Sequence, residues 1–510
     1  MNRRKFLVTS TALGGAGLGL GSQFSTTVLA DSHAIIAGKP LPIPEVIEPG
    51  TGSIGKLDVI VGSKQFIQGI DTRTQGFNQP YLGPVIRFKR GQLASMAITN
   101  KTEDIISTHW HGLHVHGAQD GGPQTAFAPG KTWTPELQID QPAATLWYHS
   151  HVHGKTADQV YSGLAGMIII DDPDAGDNGL PSTYGVDDLP IIVQDRAFDE
   201  AGNFLHLKRG PSLMHGFRAG EILVNGAVRP NSSVPRGLVR LRLLNASNAR
   251  VYSFSFEDKR PFHQVATDGG LLPKPLTKTT LTLAPAERAE IVVDFSNGQS
   301  VRLLSAPDAY DPFAKGMMGK AMRFITRSNV AAPKPLPDDE RFEIMSFSTD
   351  STHSASIKEL PKTLVGSPSQ PNWGEPKVQR NFSLDMHVGN FLKGFMGFGG
   401  MGVMGINGKS MDMKVINFDA RHGETELWRV TASEMAHPFH IHGTSFQVLS
   451  NNGKTLAYDD VGLKDVFLIE GEAEILVRHT MYADKHAPFM YHCHILEHED
   501  AGMMGQFTVS

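Results

Sequence analysis

Thiols are almost absent from this chain: Cys493 is the one cysteine in 510 residues, so no disulfide can join two of its parts. Charge is sparse too, at 19% of residues. The 47 Lys and Arg are scattered and outnumbered by 52 Asp and Glu; they form no basic stripe, which excludes nucleic acid as a partner. No segment beyond the N-terminus approaches the ~20 apolar residues that span a bilayer, so no membrane insertion of the mature chain is expected. Long helical periodicity is missing as well. What is abundant is histidine, 22 residues gathered in a few short runs, and methionine, 19 residues.

The first thirty residues stand apart from the fold. They carry a basic start, a short Gly/Ala/Leu stretch too brief and glycine-rich for an anchor, and small residues at Val28 and Ala30. Arg3 and Arg4, followed by Lys5, Phe6 and Leu7, read as a twin-arginine export signal in residues 1–30. That pathway carries folded proteins and implies a periplasmic location. In an oxidising compartment a lone thiol is either a buried bystander or a reagent.

Short runs such as KLDVIVGSK, LASMAITN, LVRLRLLNAS and AEILVRHT, punctuated by Gly, Pro, Asn and Asp, dominate the remainder. They predict an all-β chain of sandwiches. Polar breaks at 171–190 and at the proline-rich 328–339 divide it into segments 31–172, 185–327 and 340–510, each of domain size. A weak internal repeat, a strand leading through a polar turn into a histidine-bearing strand, recurs in all three; the middle copy keeps only His263.

Four histidine runs carry the chemistry: HWHGLHVHG (109–117), WYHSHVHG (147–154), HPFHIHG (437–443) and HCHILEHEDAGMM (492–504). On a strand, residues i and i+2 share a face. His109 with His111, His149 with His151, His440 with His442 and His492 with His494 are therefore expected to converge on one cavity. Eight imidazoles suit copper or zinc rather than calcium or magnesium. Parity turns Cys493 and His437 to the opposite side, where His498 and Met503 can fold back after the strand ends. Two imidazoles, a thiolate and a distant thioether make the ligand set of a blue-copper electron-transfer centre. The strand would then join two metal sites through a covalent path on the order of 10 Å, at about 3.3 Å per residue.

These motifs, HxHG, HxH, HxxHxH and HCHxxxHxxxxM in that order, resemble the copper motifs of the multicopper oxidases. The likeness is to the bacterial three-domain copper-efflux oxidase and laccase type, from about residue 50 to the C-terminus. HGKT at 153–156, DGGPQ at 120–124 and LEHEDAGMM at 496–504 add to it. The resemblance implies three consecutive cupredoxin-like Greek-key β-sandwich domains, the middle one without copper ligands, and four copper ions. It assigns His437, Cys493, His498 and Met503 to a type 1 copper, and His109 and His440 to a type 2 copper. His111, His149 and His494 go to one type 3 copper, and His151, His442 and His492 to the other. Asp120 and Glu499 match acidic positions used for proton delivery and ligand orientation. His114, His116 and His153 lie outside that ligand list.

A Gly/Met segment, GFMGFGGMGVMGINGKSMDM (394–413), precedes the third motif. Its thioethers, Met396, Met401, Met404, Met411 and Met413, are soft donors for Cu(I); Met435 and Glu434, just before His437, are further candidates on the substrate side. Where efflux-type relatives place an aspartate four residues before that histidine, this chain has Ser433. The resemblance implies a monomeric oxidase of Cu(I) or small aromatic reductants, with dioxygen as acceptor and a role in copper tolerance. A general laccase with incidental cuprous activity is the alternative within enzymes. Outside them stands a copper-free structural or cell-division protein of the same fold, from which the twelve donors of this chain would separate it.

Overall fold

A computed structural model describes residues 34–50, 52–173, 176, 178–208, 210–311, 340–368, 370–386 and 404–510. The export signal and the whole of the second break, 328–339, lie outside these residues, as do Met396 and Met401. Strands dominate and fall into three successive sandwiches, as the all-β expectation required.

In the first sandwich a four-stranded sheet (Val46–Ile47, Val85–Lys89, Ala165–Asp171, Ala144–His149) faces one built on Ile70–Phe77, Ile54–Ile67 and Leu93–Asn100. Alternation explains Leu93–Asn100: Ala94, Met96 and Ile98 point into the core while Leu93 stays exposed. In the middle sandwich, Asp188–Arg196 and Leu238–Asn245 are buried on both faces because they run through the centre of a seven-stranded sheet.

The second break does not end the middle sandwich. Phe342–Ser354, assigned from sequence to the third domain, pairs with Asn231–Arg236 and Val301–Ala306 and completes the smaller sheet of the middle sandwich. Its Phe342, Ile344 and Phe347 fill the middle core. The polar run 328–339 therefore precedes the last strand of that sandwich.

The third sandwich is organised by one long strand, Thr425–Ile441. Its N-terminal half pairs with Val378–Asp385 and Val466–Arg478, and its C-terminal end with Phe489–Cys493. Between Ala432 and His437 the register slips: Ala432 lies opposite Gly471 but His437 opposite Ile469. The extra residues, Ser433 to Ala436, bulge outward, and Ser433 and Glu434 are exposed.

Candidate metal centres

Cys493 and Phe439 are cross-strand partners, as are His492 and His440. Directly opposed residues share a face, so Cys493 sits with Phe439 in the third core while both histidines turn to the other side. Strand parity thus separates the sulfur from its flanking imidazoles, but it does not place the first run, which is no strand: after His109 the chain turns, with Leu113 N–H donating to the Trp110 carbonyl. His151, His442 and His494 likewise lie one or two residues past strand ends at His149, Ile441 and Cys493. The turns nevertheless bring every second histidine back to the cavity.

On the core side, three donors converge. Cys493 Sγ lies 3.3 Å from His437 Nδ1 and 3.7 Å from His498 Nδ1, and the two Nδ1 atoms are 3.3 Å apart. An ion bound at about 2.0–2.3 Å in a trigonal set would hold its donors about 3.5 Å apart. His498 Nε2 donates to the Met214 carbonyl at 3.1 Å, leaving Nδ1 as the lone pair. Burial pushes the His437 imidazole down to about 3 and the Cys493 thiol well up; the first keeps the ring neutral, and the second means a cation must hold the sulfur ionised. Ile495 N–H donates to that sulfur at 3.3 Å. Met503 accepts the Cys493 N–H on its carbonyl at 3.1 Å and packs in the same core.

On the far side, eight buried imidazoles from the first and third sandwiches interleave. His109 pairs with His149 through two backbone hydrogen bonds, then stacks on His442 at 3.9 Å, and His111 stacks on His440 at 3.7 Å. Three all-histidine donor groups come within 4.8 Å: His109, His111 and His149; His109, His440 and His442; His151, His442 and His492; a fourth joins His111 and His440 to Asp465. The third is one of the type 3 sets the resemblance implies; His109 falls within reach of two groups. His494 lies 5.1 Å and 5.4 Å, ring to ring, from His111 and His149.

The outer nitrogens are pinned and the inner ones are left over. His109 Nδ1 donates to the Asp120 carbonyl (2.9 Å), His440 Nδ1 to that of Asp465 (2.7 Å) and His149 Nδ1 to that of Ser150 (2.8 Å). Each tautomer then presents Nε2 inward, and those three Nε2 atoms have no partner. His111 is reversed, with Nε2 on Asp465 Oδ1 at 3.1 Å and Nδ1 unpartnered. Buried imidazole nitrogens without partners are expensive; ions would satisfy them. Burial first, then mutual repulsion, keeps His111, His149, His151, His440, His442 and His494 neutral far below the usual imidazole range. The donor set fits copper.

Both expected carboxylates are at the cavity wall. Asp120 ends the short helix Gly117–Asp120; its carbonyl holds His109 and its Oδ2 lies 2.7 Å from His442 Nδ1, tying the first motif to the third. The next residue must be glycine: Gly121 has φ +84°, and a Cβ there would collide with the Thr108 carbonyl. Glu499, buried on Leu496–Asp500, places Oε1 3.4 Å from His151 Nδ1 and Oε2 3.3 Å from His492 Nδ1. Burial, reinforced by the nearby Asp500 charge, pushes its carboxyl well up.

The substrate-side candidates separate. Glu434 and Met435 lie on the outward bulge immediately before His437, Met435 partly packed on the core. Met404 does not belong with them: it is fully buried in the third core, its N–H bonded to the Ala501 carbonyl at 3.2 Å, so an incoming ion cannot reach it. Met411 and Met413 are half-buried. Of the other histidines, His114 bonds Ser445 Oγ at 2.9 Å, His263 bonds Thr277 Oγ1 at 3.1 Å, and His116 caps Gly117–Asp120. Sequence reasoning missed Asp465. Its carboxylate and carbonyl hold His111 and His440, yet GLKDVFL has no local feature marking it.

Family models described as "Multicopper oxidase" match residues 61–175 and 375–510. The chain is 34% identical over 472 residues to "Cell division protein FtsP" of Escherichia coli, covering 92% of this chain and 93% of that one. It is 32% identical over 484 residues to "Multicopper oxidase mco" of Staphylococcus aureus, covering 92% of both. Among solved structures, the bacterial laccase-like multicopper oxidase CueO of Ochrobactrum sp. superposes with a TM-score of 0.81 at 38% identity, over 92% of this chain and 100% of that chain. A third of the residues shared across nine-tenths of both chains, on a common fold, makes this chain a member of the multicopper oxidase family.

Proposed function

We propose that the protein is a working oxidase. It takes electrons singly from Cu(I), or from phenolic and other small aromatic reductants, and returns four of them with four protons to one dioxygen, giving two waters. The observation that carries this reading is the set of inward imidazole nitrogens left unpartnered beside a Cys/His/His trio at metal-binding spacing.

His437, Cys493, His498 and Met503 would hold the type 1 copper, and His109 and His440 the type 2 copper. His111, His149 and His494 would hold one type 3 ion, and His151, His442 and His492 the other. Copper, when bound, supplies one-electron redox steps at the first site and a multi-metal surface for dioxygen at the second. The chain supplies the rest. The Cys493 backbone links the two sites through its neighbours His492 and His494, a path on the order of 10 Å. Asp120 orients His109 and His442 at once. Glu499, facing two type 3 histidines, is placed to hold a proton at its carboxyl oxygens. Glu434 and Met435 offer an oxygen and a thioether beside His437, where a cuprous ion would give up its electron. The twin-arginine pattern at Arg3 and Arg4 supports export of the folded protein to the periplasm, where oxidation of Cu(I) would serve copper tolerance.

A copper-free role in cell division is the second reading, favoured by the names of relatives at 34% identity. The experiment that separates them is copper reconstitution followed by metal analysis and oxygen uptake with Cu(I) and with a phenol. About four coppers per chain and uptake with either reductant support the oxidase. A chain that binds no copper, or binds it and consumes no oxygen, refutes it. Removing residues 394–403, which stops short of buried Met404, then tells the substrates apart: a Cu(I) rate that falls more than the phenol rate assigns the segment to cuprous oxidation.

A further inference from the structure

The middle sandwich supplies none of the twelve donors, yet one of its side chains reaches the cluster. Arg288, on Arg288–Asp294, is fully buried where the three sandwiches meet. All five of its side-chain N–H groups find acceptors. Nε donates to the Thr145 carbonyl of the first sandwich (3.0 Å). Nη1 donates to the Ala286 carbonyl (3.1 Å) and Asp465 Oδ1 (2.7 Å), and Nη2 to the Asp268 carbonyl (3.2 Å) and Asp465 Oδ2 (2.5 Å). The same Asp465 Oδ1 meets His111 Nε2, and the Asp465 carbonyl takes His440 Nδ1. Space for this arrangement comes from Gly112: a Cβ there would stand 2.5 Å from Asp465 Oδ2 and 3.0 Å from Arg288 Nη2.

We propose that Arg288 is a positioning residue for the trinuclear cluster. By clamping Asp465 in a two-pronged pair it fixes the ring orientation of His111, from the first sandwich, and of His440, from the third. The middle sandwich thereby sets the geometry of ions it does not bind. Planarity matters here: a lysine has one point charge and three donors in place of a fork of five, so it cannot hold both carboxylate oxygens and three carbonyls. This inference rests on the four-copper reading above.

The test uses the full-length, copper-loaded protein and compares Arg288→Lys and Arg288→Gln with Arg240→Gln. Arg240 lies in the same sheet and forms a buried pair with Glu290, its Nε 2.7 Å from Oε2, without touching Asp465. Copper retention is followed against a graded chelator, with the electron paramagnetic resonance signals of the type 1 and type 2 ions. The expected result is a ~10–100-fold loss of affinity for the cluster coppers in the Arg288 variants, as for other outer partners of metal ligands. The type 2 signal should shift and the type 1 signal stay unchanged. Arg240→Gln should lower the melting temperature and leave both signals alone. Arg288→Lys keeps the buried charge and decides the outcome if Arg288→Gln does not fold. Arg288 variants that match Arg240→Gln in chelator resistance and in the type 2 signal overturn the proposal and leave the oxidase reading standing. A wild-type chain that takes up no copper overturns both.

Discussion

Gly112 offers the sharpest test of how tightly the cluster wall is packed. Its φ is +90°, so an alanine there is strained by about 1–2 kcal/mol before any contact is counted. The added Cβ would then meet Asp465 Oδ2 at 2.5 Å, Leu146 Cδ2 at 2.9 Å and Arg288 Nη2 at 3.0 Å. Leu146, Asp465 and Arg288 are all fully buried, so the carboxylate must move and loosen charge-assisted bonds of about 1.5–3 kcal/mol each. Gly112→Ala should therefore destabilise by roughly 3–5 kcal/mol, on the order of 10 °C in the melting of its domain. Gly453→Ala is the matched control: φ is +73°, but nothing lies within 4 Å of the added Cβ. It should lose only the backbone component. Differential scanning calorimetry of both variants, without copper, measures the difference. Equal shifts would refute the packing argument, because they would mean that Asp465 and Arg288 can move freely.

Cys493→Ser should abolish the intense thiolate-to-copper absorption and lower the copper content by one ion, leaving the cluster loaded; absorption and metal analysis read both. Asp120→Ala frees His442 Nδ1 and should cut oxygen uptake about 10–100-fold at saturating reductant, with the type 1 absorption unchanged. His479, buried between Trp428 and Phe507 with both ring nitrogens unpartnered, is held down to about 4 by burial. Unfolded, it titrates near 6.5, so as pH falls below that value the unfolded chain takes up the proton first. The contribution is full above pH 6.5 and is lost toward pH 4, by up to about 1.4 kcal/mol per pH unit. His479→Phe should flatten the pH dependence of stability by one proton in that window, as denaturant titrations at several pH values would show.

Much of the site was legible because its donors come in short local runs. Cys493 between His492 and His494 needs only strand parity to predict two sites on two sides, and the pairing of Phe439 with Cys493 sets the sulfur on the core face of its strand. The run from His109 to Gly117 gives the right residues for a wrong local reason, since a turn and not a strand aims His111. Asp465 and Arg288 were invisible because their roles exist only where three domains meet, 354 residues separating His111 from Asp465. Met404 looked like its neighbours in a Gly/Met segment, and only its place under Ala501 distinguishes a core methionine from a surface one. Phe342–Ser354 was assigned to the wrong domain because a proline-rich run ahead of a strand signals a boundary without saying which sheet the strand will join.

The cavity between the first and third sandwiches also constrains the order of events in the life of the molecule. His151 and His492, whose Nε2 atoms face each other at 3.2 Å, are 341 positions apart, and the strand that carries His492 is completed by pairing with Met504–Val509. A nascent or truncated chain therefore owns only half a vessel. Any ion held between these imidazoles could be enclosed only once Met504–Val509 had docked beside Phe489–Cys493, so closure of the third sandwich would set the earliest moment of loading.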